Sequence, residues 1–228
     1  MPSARRVEPE WLDELPAHDP RAQRSRRDLV RINTLMGNVR IVARELEREA
    51  PAGFVSIAEI GAGSGAFLAQ LARLSPPRAV EAHLVDRQDI VDDATRAALA
   101  ARGWSAMALQ CDAFEWLEKT PAVDVIVANL FLHHFEPPRL AAMLALVAKR
   151  SRVFIACEPR RSAVALAGAR LLGLVGCNDV SRHDAVVSVR AGFAGNEISS
   201  LWPDAGGWRL HEAARAPFSH LFVAARRS

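Results

Sequence analysis

The stretch Ser56 to Leu71, SIAEIGAGSGAFLAQL, constrains the fold more than any other part of this chain. A short apolar run carrying Glu59 passes through Gly61, Gly63 and Gly65 directly into a helical pattern. Such a turn needs a strand before it and a helix after it, and its glycines let backbone approach a ligand closely. A β-loop-α unit that holds a nucleotide-derived ligand is therefore expected. Gly61, Gly63 and Ala66 also satisfy the dinucleotide pattern G-x-G-x-x-G/A, so the loop alone leaves the ligand open.

From Phe54 onward, short apolar runs alternate with helical ones. FVSIAEI, AVEAHLVD, WSAMALQCD, VDVIVANL and RVFIACE read as strands, with Phe67 to Leu74, Asp89 to Arg102 and Pro138 to Arg150 as helices between them. This alternation demands right-handed crossovers and a doubly wound parallel α/β sheet. A helical signal from Phe193 to Trp202 follows. Two further strands, WRLHEAARA and HLFVAARR, flank Pro217 and Phe218 as a hairpin. The expectation is a Rossmann-like sheet of seven strands with a C-terminal antiparallel hairpin.

Before the sheet, Ile32, Leu35, Met36, Val39, Val42 and Leu46 recur at spacings of three and four, the mark of an amphipathic helix that Gly37 and Asn38 split in two. Residues 1–50 read as a helical lead-in or cap, and residues 51–228 as the main domain. The charged, proline-punctuated residues up to Pro20 are expected to order only by covering something.

Composition excludes several classes. No run approaches the ~20 apolar residues of a membrane span, and MPSARRVEPEWLDELP lacks a signal peptide's apolar centre, so the expected location is cytoplasmic. Cys111, Cys157 and Cys177 are widely spaced, which points to reduced thiols rather than a disulfide frame or zinc site. The net charge of +3 rests on arginines gathered between Arg21 and Arg48, where no aromatic residue offers a stacking surface for RNA. A solvated helix face is the better reading.

The acids decide the ligand. Glu59, Asp86 and Asp112 fall at the ends of the first three runs, and Asn129 ends the fourth. In an open sheet those ends meet the ligand. Phosphates at the loop would be opposed by Glu59, whereas an ammonium and a ribose diol would be favoured by these acids. With AEIGAGSGAF, LVDRQ, LQCDAFE, DVIVANLFLHHF and VFIACEP in this order, the chain resembles the class I S-adenosylmethionine-dependent methyltransferases, and with the hairpin the resemblance covers about residues 52 to 227. An NAD(P)-linked reductase is the weaker alternative, because the chain has no tyrosine for a Tyr-x-x-x-Lys pair.

The resemblance implies S-adenosyl-L-methionine as cofactor, bound by Glu59, Gly61, Ala62, Gly63, Gly65, Asp86, Arg87, Asp112, Ala113, Asn129 and Leu130. Glu59 would bind the amino group, Asp86 the ribose, Arg87 the adenine face, Asp112 with Ala113 the adenine edge, and Asn129 with Leu130 the methyl donor. The loop NLFLHHFEPP lacks the Asn-Pro-Pro-Tyr of DNA and glutamine N-methyltransferases and the acids of catechol-type magnesium sites, so no DNA and no metal are expected. It looks like the loop of methyltransferases acting on small lipids, quinones and polyketides.

His133 and His134 are the first catalytic candidates. The insertion at about 161–190, apolar and then polar, is expected to form a lid with the lead-in over an apolar acceptor. His183, Asp184 and Arg190 in it are candidate base, orienter and anion binder. The acceptor expected is small and largely apolar, an aromatic hydroxyl, polyketide, quinone or lipid-like precursor. RNA is the competing acceptor, and a homodimer is compatible with this reading.

Overall fold

The computed structural model describes residues 4–16 and 18–227. Its centre is one seven-stranded sheet in the order β3-β2-β1-β4-β5-β7-β6. The strands are β1 (Ser56–Ile60), β2 (Val80–Asp86), β3 (Trp104–Gln110), β4 (Val123–Asn129), β5 (Ser151–Pro159), β6 (Trp208–Arg215) and β7 (Ser219–Arg226). β1 to β5 pair in parallel, and β7 joins β5 and β6 antiparallel, so the expected hairpin closes one edge. The order reverses between β1 and β4, where an open α/β sheet leaves a crevice.

Helices cover both faces. α4 (Ala66–Leu74) and α5 (Asp93–Ala100) lie on one, and α6 (Ala113–Lys119) and α7 (Pro137–Arg150) on the other. Side chains alternate along β1: Ile57 joins the first core and Ala58 and Ile60 the second. Glu59 therefore points to the same face as Ile57, beneath the start of α4.

The lead-in forms α2 (Pro20–Met36) and α3 (Asn38–Glu49), broken at Gly37, whose φ of 71° suits glycine. α3 buries Val39, Val42 and Leu46 in the first core. Ahead of them lies α1 (Trp11–Glu14), and the insertion forms α8 (Ala163–Arg170), a 3-10 turn at Leu172–Val175, and α9 (Asp179–Ala191).

The helix expected from Phe193 to Trp202 is replaced by a loop with a single 3-10 turn at Ser199–Leu201. Gly195 takes a φ of 61°, and the Glu212 carboxylate accepts the Ile198 and Ser199 N–H groups at 3.0 and 2.7 Å. Those tertiary bonds take the donors that a helix would need. Among the described residues no helix is long and apolar enough to cross a membrane.

Candidate active site

The carboxyl ends of β1, β2 and β4 open into a cavity of about 870 Å³. Gly61 and Gly63 leave β1 with φ of 72° and 53°, and a Cβ on Gly61 would run into the Phe131 ring. Gly65 lies behind the cavity wall, where a Cβ would press on Leu84 and Thr95, so it lets α4 sit close to β2. Asp86 is held by backbone: its Oδ2 accepts from Gly63 N at 2.8 Å and its Oδ1 from Gln88 N at 2.9 Å. Each oxygen keeps a lone pair for a ligand hydroxyl. Asp112 caps α6 by accepting Phe114 N at 2.8 Å with Oδ1. Arg87, Ala113 and Asp112 line the cavity beyond it.

Glu59 is 1% exposed and its Oε2 has no partner among the described residues. Burial, followed by the Asp86 charge, pushes its pKa well above the usual carboxylate range. A buried acceptor without a donor is costly, and a cationic group in the cavity would satisfy it. The residues present thus fit the ammonium of S-adenosylmethionine at Glu59 and its ribose diol at Asp86.

Asn129 and Leu130 close the same floor. Leu130 is the one described non-glycine residue with positive φ, 53°, and such strain concentrates at functional sites. The Asn129 amide is already engaged: its Oδ1 accepts Asn38 Nδ2 and its Nδ2 donates to Asn33 Oδ1, both at 2.9 Å. Asn38 also accepts from Ser219 Oγ at 2.6 Å. The break between α2 and α3 is thereby bolted to the end of β4.

Across the cavity stand the paired histidines. His133 is buried between two carboxylates, with its Nδ1–H on Glu158 Oε2 at 2.8 Å and its Nε2–H on Glu10 Oε1 at 3.2 Å. Burial opposes charge here, but the hydrogen bonds to Glu10 and Glu158 win and raise its pKa to about 9. Glu10, likewise against desolvation, is lowered by the His133 hydrogen bond to about 2. His134 behaves oppositely: burial first, then the His133 charge, lower its pKa. Its Nδ1 lies 3.6 Å from Asp13 Oδ2. A fixed imidazolium thus stands beside a neutral imidazole on the cavity wall. Glu10, His133 and His134 also bring ligand atoms within 4.8 Å of one another.

The insertion residues require correction. His183 does not line the cavity; its ring stacks on Trp11, centroids 3.8 Å apart and 6° from parallel, in a surface groove. Asp184 does orient His183 Nδ1, at 2.9 Å, but its two oxygens accept Trp11 N and Leu12 N at 2.9 and 3.0 Å. The two residues therefore anchor α1. Arg190 is also off the cavity, and its carbonyl receives Arg6 N at 3.1 Å. The physical reason is helical: α9 turns Ser181, Asp184, Ala185 and Ser188 inward, and positions 183 and 190 fall on other faces.

Sequence reading missed Glu10, Asp13, Asn33, Asn38 and Glu158. Glu158 had a signal, an acid at the end of the β5 run like those of the other strands. It takes the N–H groups of Phe131 and Leu132 at 3.0 and 2.9 Å, and so shapes the loop carrying the histidines. Glu10 had none, because its partner lies 123 residues away.

Glycine loop, acid-tipped parallel strands and strand order define the class I S-adenosylmethionine-dependent methyltransferase fold. Residues 57–152 match the family model described as a methyltransferase domain. Over those residues the chain is similar to a methyltransferase domain. No curated protein sequence matches the chain.

Among solved structures it is similar to an O-methyltransferase family protein from Burkholderia thailandensis, with TM-score 0.64 and 21% identity over 93% of this chain and 61% of that one. It is also similar to the plantazolicin methyltransferase BpumL in complex with SAH, with TM-score 0.64 and 12% identity over 92% of each chain. A third is the magnesium protoporphyrin IX methyltransferase of Synechocystis with bound SAH, with TM-score 0.54 and 16% identity over 84% of this chain and 83% of that one. These likenesses establish the fold. The chain spans only 61% of the length of the Burkholderia protein.

Proposed function

We propose that this protein transfers a methyl group from S-adenosylmethionine to a hydroxyl of a small, largely apolar acceptor without a metal. The observation that carries the proposal is the acceptor half of the cavity, where apolar side chains of α2 and the insertion share the lining with the polar group around His134. Leu29, Leu35 and Met36 of α2 and Leu172 and Val175 of the insertion all line it. Its structural neighbours include an O-methyltransferase family protein and a magnesium protoporphyrin IX methyltransferase, which supports an oxygen acceptor on a small molecule.

Bound at Glu59 and Asp86, the cofactor supplies an electrophilic methyl group. The chain aligns the acceptor against it and takes up the acceptor's proton. His134 is the base in this reading: its lowered pKa leaves it neutral, and it lines the cavity 3.6 Å from Asp13. His133 serves differently. Its charge, fixed by Glu158 and Glu10, keeps His134 unprotonated and favours a developing oxyanion nearby. With Glu10 and His133 already paired to each other, the cluster needs no cation. Glu59, Gly61, Ala62, Gly63, Asp86, Arg87, Asp112, Ala113 and Leu130 make up the proposed cofactor side, with Asn129 acting through the polar bolt to α2.

The test is methyl transfer from radiolabelled cofactor to phenolic, polyketide and lipid-extract fractions, with RNA and protein fractions counted separately. Label in the apolar small-molecule fractions supports the proposal, and label confined to RNA or protein overturns it.

A further inference from the structure

We propose that the turn joining α8 to α9 docks the protein on an anionic lipid surface, with its apolar tip inserted beside the cavity mouth. The turn leaves Leu171, Leu174 and Val175 exposed by 57, 83 and 53%. Single exposed aliphatic residues are ordinary on protein surfaces. Here three lie on one short protrusion with its own geometry, a 3-10 turn ended by Gly176 at φ 80°. Water gains nothing from that arrangement, and an acyl-chain boundary does.

Charge around the tip points to the occupant. Arg24 Nη2 donates to Gly176 O at 3.1 Å, the Arg182 guanidinium lies against Gly173, and Arg170 lines a groove with Arg182 and Trp11. Among the described residues Arg24, Arg170 and Arg182 make no ion pair. The nearby acids are spent: Asp179 is paired with Arg21 at 2.7 Å, and Asp28 is buried against Arg31 at 3.3 Å. A collar of arginines outside any ion pair, round an apolar tip, is complementary to phosphate headgroups above acyl chains. Trp11, 41% exposed beside the collar, suits the boundary between them.

The tip is too small for a stable dimer interface, which needs roughly 800 Å² from each partner. Single-stranded RNA would use the arginines but leave the aliphatic tip wet. Leu171, Leu172 and Val175 also line the cavity, so the inserted tip would open the acceptor compartment toward the lipid phase. That consequence rests on the apolar-acceptor proposal. The docking itself does not, and its test uses neither cofactor nor acceptor.

The full chain is sedimented with vesicles of phosphatidylcholine and phosphatidylglycerol, and with phosphatidylcholine alone. Expected is partition onto the anionic vesicles, weakened by salt and lowered roughly tenfold or more by Leu174→Asp. Arg170→Glu with Arg182→Glu should have an effect of about the same size. Thermal melting and cofactor binding should be unchanged in both variants, because none of these residues lines the cavity. Absence of partition onto anionic vesicles, or partition indifferent to Leu174→Asp, overturns the proposal. So would a Leu174→Asp change from dimer to monomer in light scattering, which assigns the tip to a second copy. RNA retention lost with the arginines, in a protein that ignores vesicles, would assign it to RNA.

Discussion

At the scale of single residues, the two adjacent histidines carry opposite charge states because their partners differ. His133 has a carboxylate on each ring nitrogen, while His134 has one distant carboxylate and a cation next to it. Removing His134 with His134→Ala should lower turnover by about 10²-fold or more and leave cofactor affinity by calorimetry unchanged. Because its pKa is lowered, the acid limb of the pH–rate profile should lie below 6.5 and vanish in that variant. An acid limb that survives His134→Ala assigns the base elsewhere. His183→Ala should keep turnover within a few-fold and lower thermal stability instead, through loss of the stack on Trp11.

EDTA should leave turnover intact, and a loss restored by magnesium or zinc would show that Glu10, His133 and His134 hold an ion. On the cofactor side, Asp86→Ala should weaken binding roughly tenfold or more, since charge-assisted hydrogen bonds contribute about 1.5–3 kcal/mol each. Unaltered calorimetry would remove the ribose assignment. The acids of this side were legible because strand ends must meet the ligand. The histidine pair was legible only as residue types. What separates their roles is Glu10 and Glu158, and chain spacing does not reveal that contact.

At the scale of elements, α1 is held as a strap by Asp184 on its first N–H groups and by Glu10 on His133. Arg5 adds three bonds to the Ala191, Phe135 and His133 carbonyls at 2.7–2.9 Å. The Glu10–His133 pair makes this docking depend on pH. His133, raised from 6.5 to about 9, stabilises the folded state fully below 6.5, and that contribution is lost as pH rises through 9. Glu10, lowered from 4.5 to about 2, contributes fully above 4.5 and loses its contribution as pH falls through 2. The strap is therefore tightest between 4.5 and 6.5 and should loosen by an amount on the order of 1–3 kcal/mol toward pH 9 and above.

Hydrogen exchange at Trp11 and Leu12, corrected for intrinsic rates, should show that loosening, and Glu10→Gln should abolish its pH dependence. Unchanged protection across pH 6 to 10 would contradict it. A four-residue helix has no periodicity to detect, which is why the segment ahead of Pro20 gave only the expectation that it covers something. The apolar start of the insertion gave the expectation of a lid, and its Leu171, Leu172 and Val175 line the cavity. The faces of α9 were not, because its residues mix apolar and polar types all round and only the docked α1 decides which side is which.

At the scale of the whole molecule, one cavity has two walls of different origin. The floor belongs to the sheet, whose strand ends follow from the βα alternation, and the roof is assembled from α1, α2 and the α8–α9 insertion. Lead-in and insertion lie about 150 residues apart in sequence, yet they share a polar seam: Ser25 Oγ lies 2.9 Å from Ser181 Oγ, and Asp28 accepts Asn178 N at 2.8 Å. A cavity of about 870 Å³ stands near the upper end of the ~300–1,000 Å³ typical of single-ligand pockets, as a site for cofactor plus acceptor requires. The two occupants should therefore be separable by filling one end. Leu172 lies on the roof, on the insertion side, and Leu172→Trp adds bulk there without touching Glu59, Asp86 or Asp112. Expected is a rise of roughly tenfold or more in acceptor KM, with cofactor affinity unchanged within about twofold. A parallel loss of cofactor binding would mean that the roof closes on the cofactor itself, and an unchanged KM would move the acceptor away from the insertion.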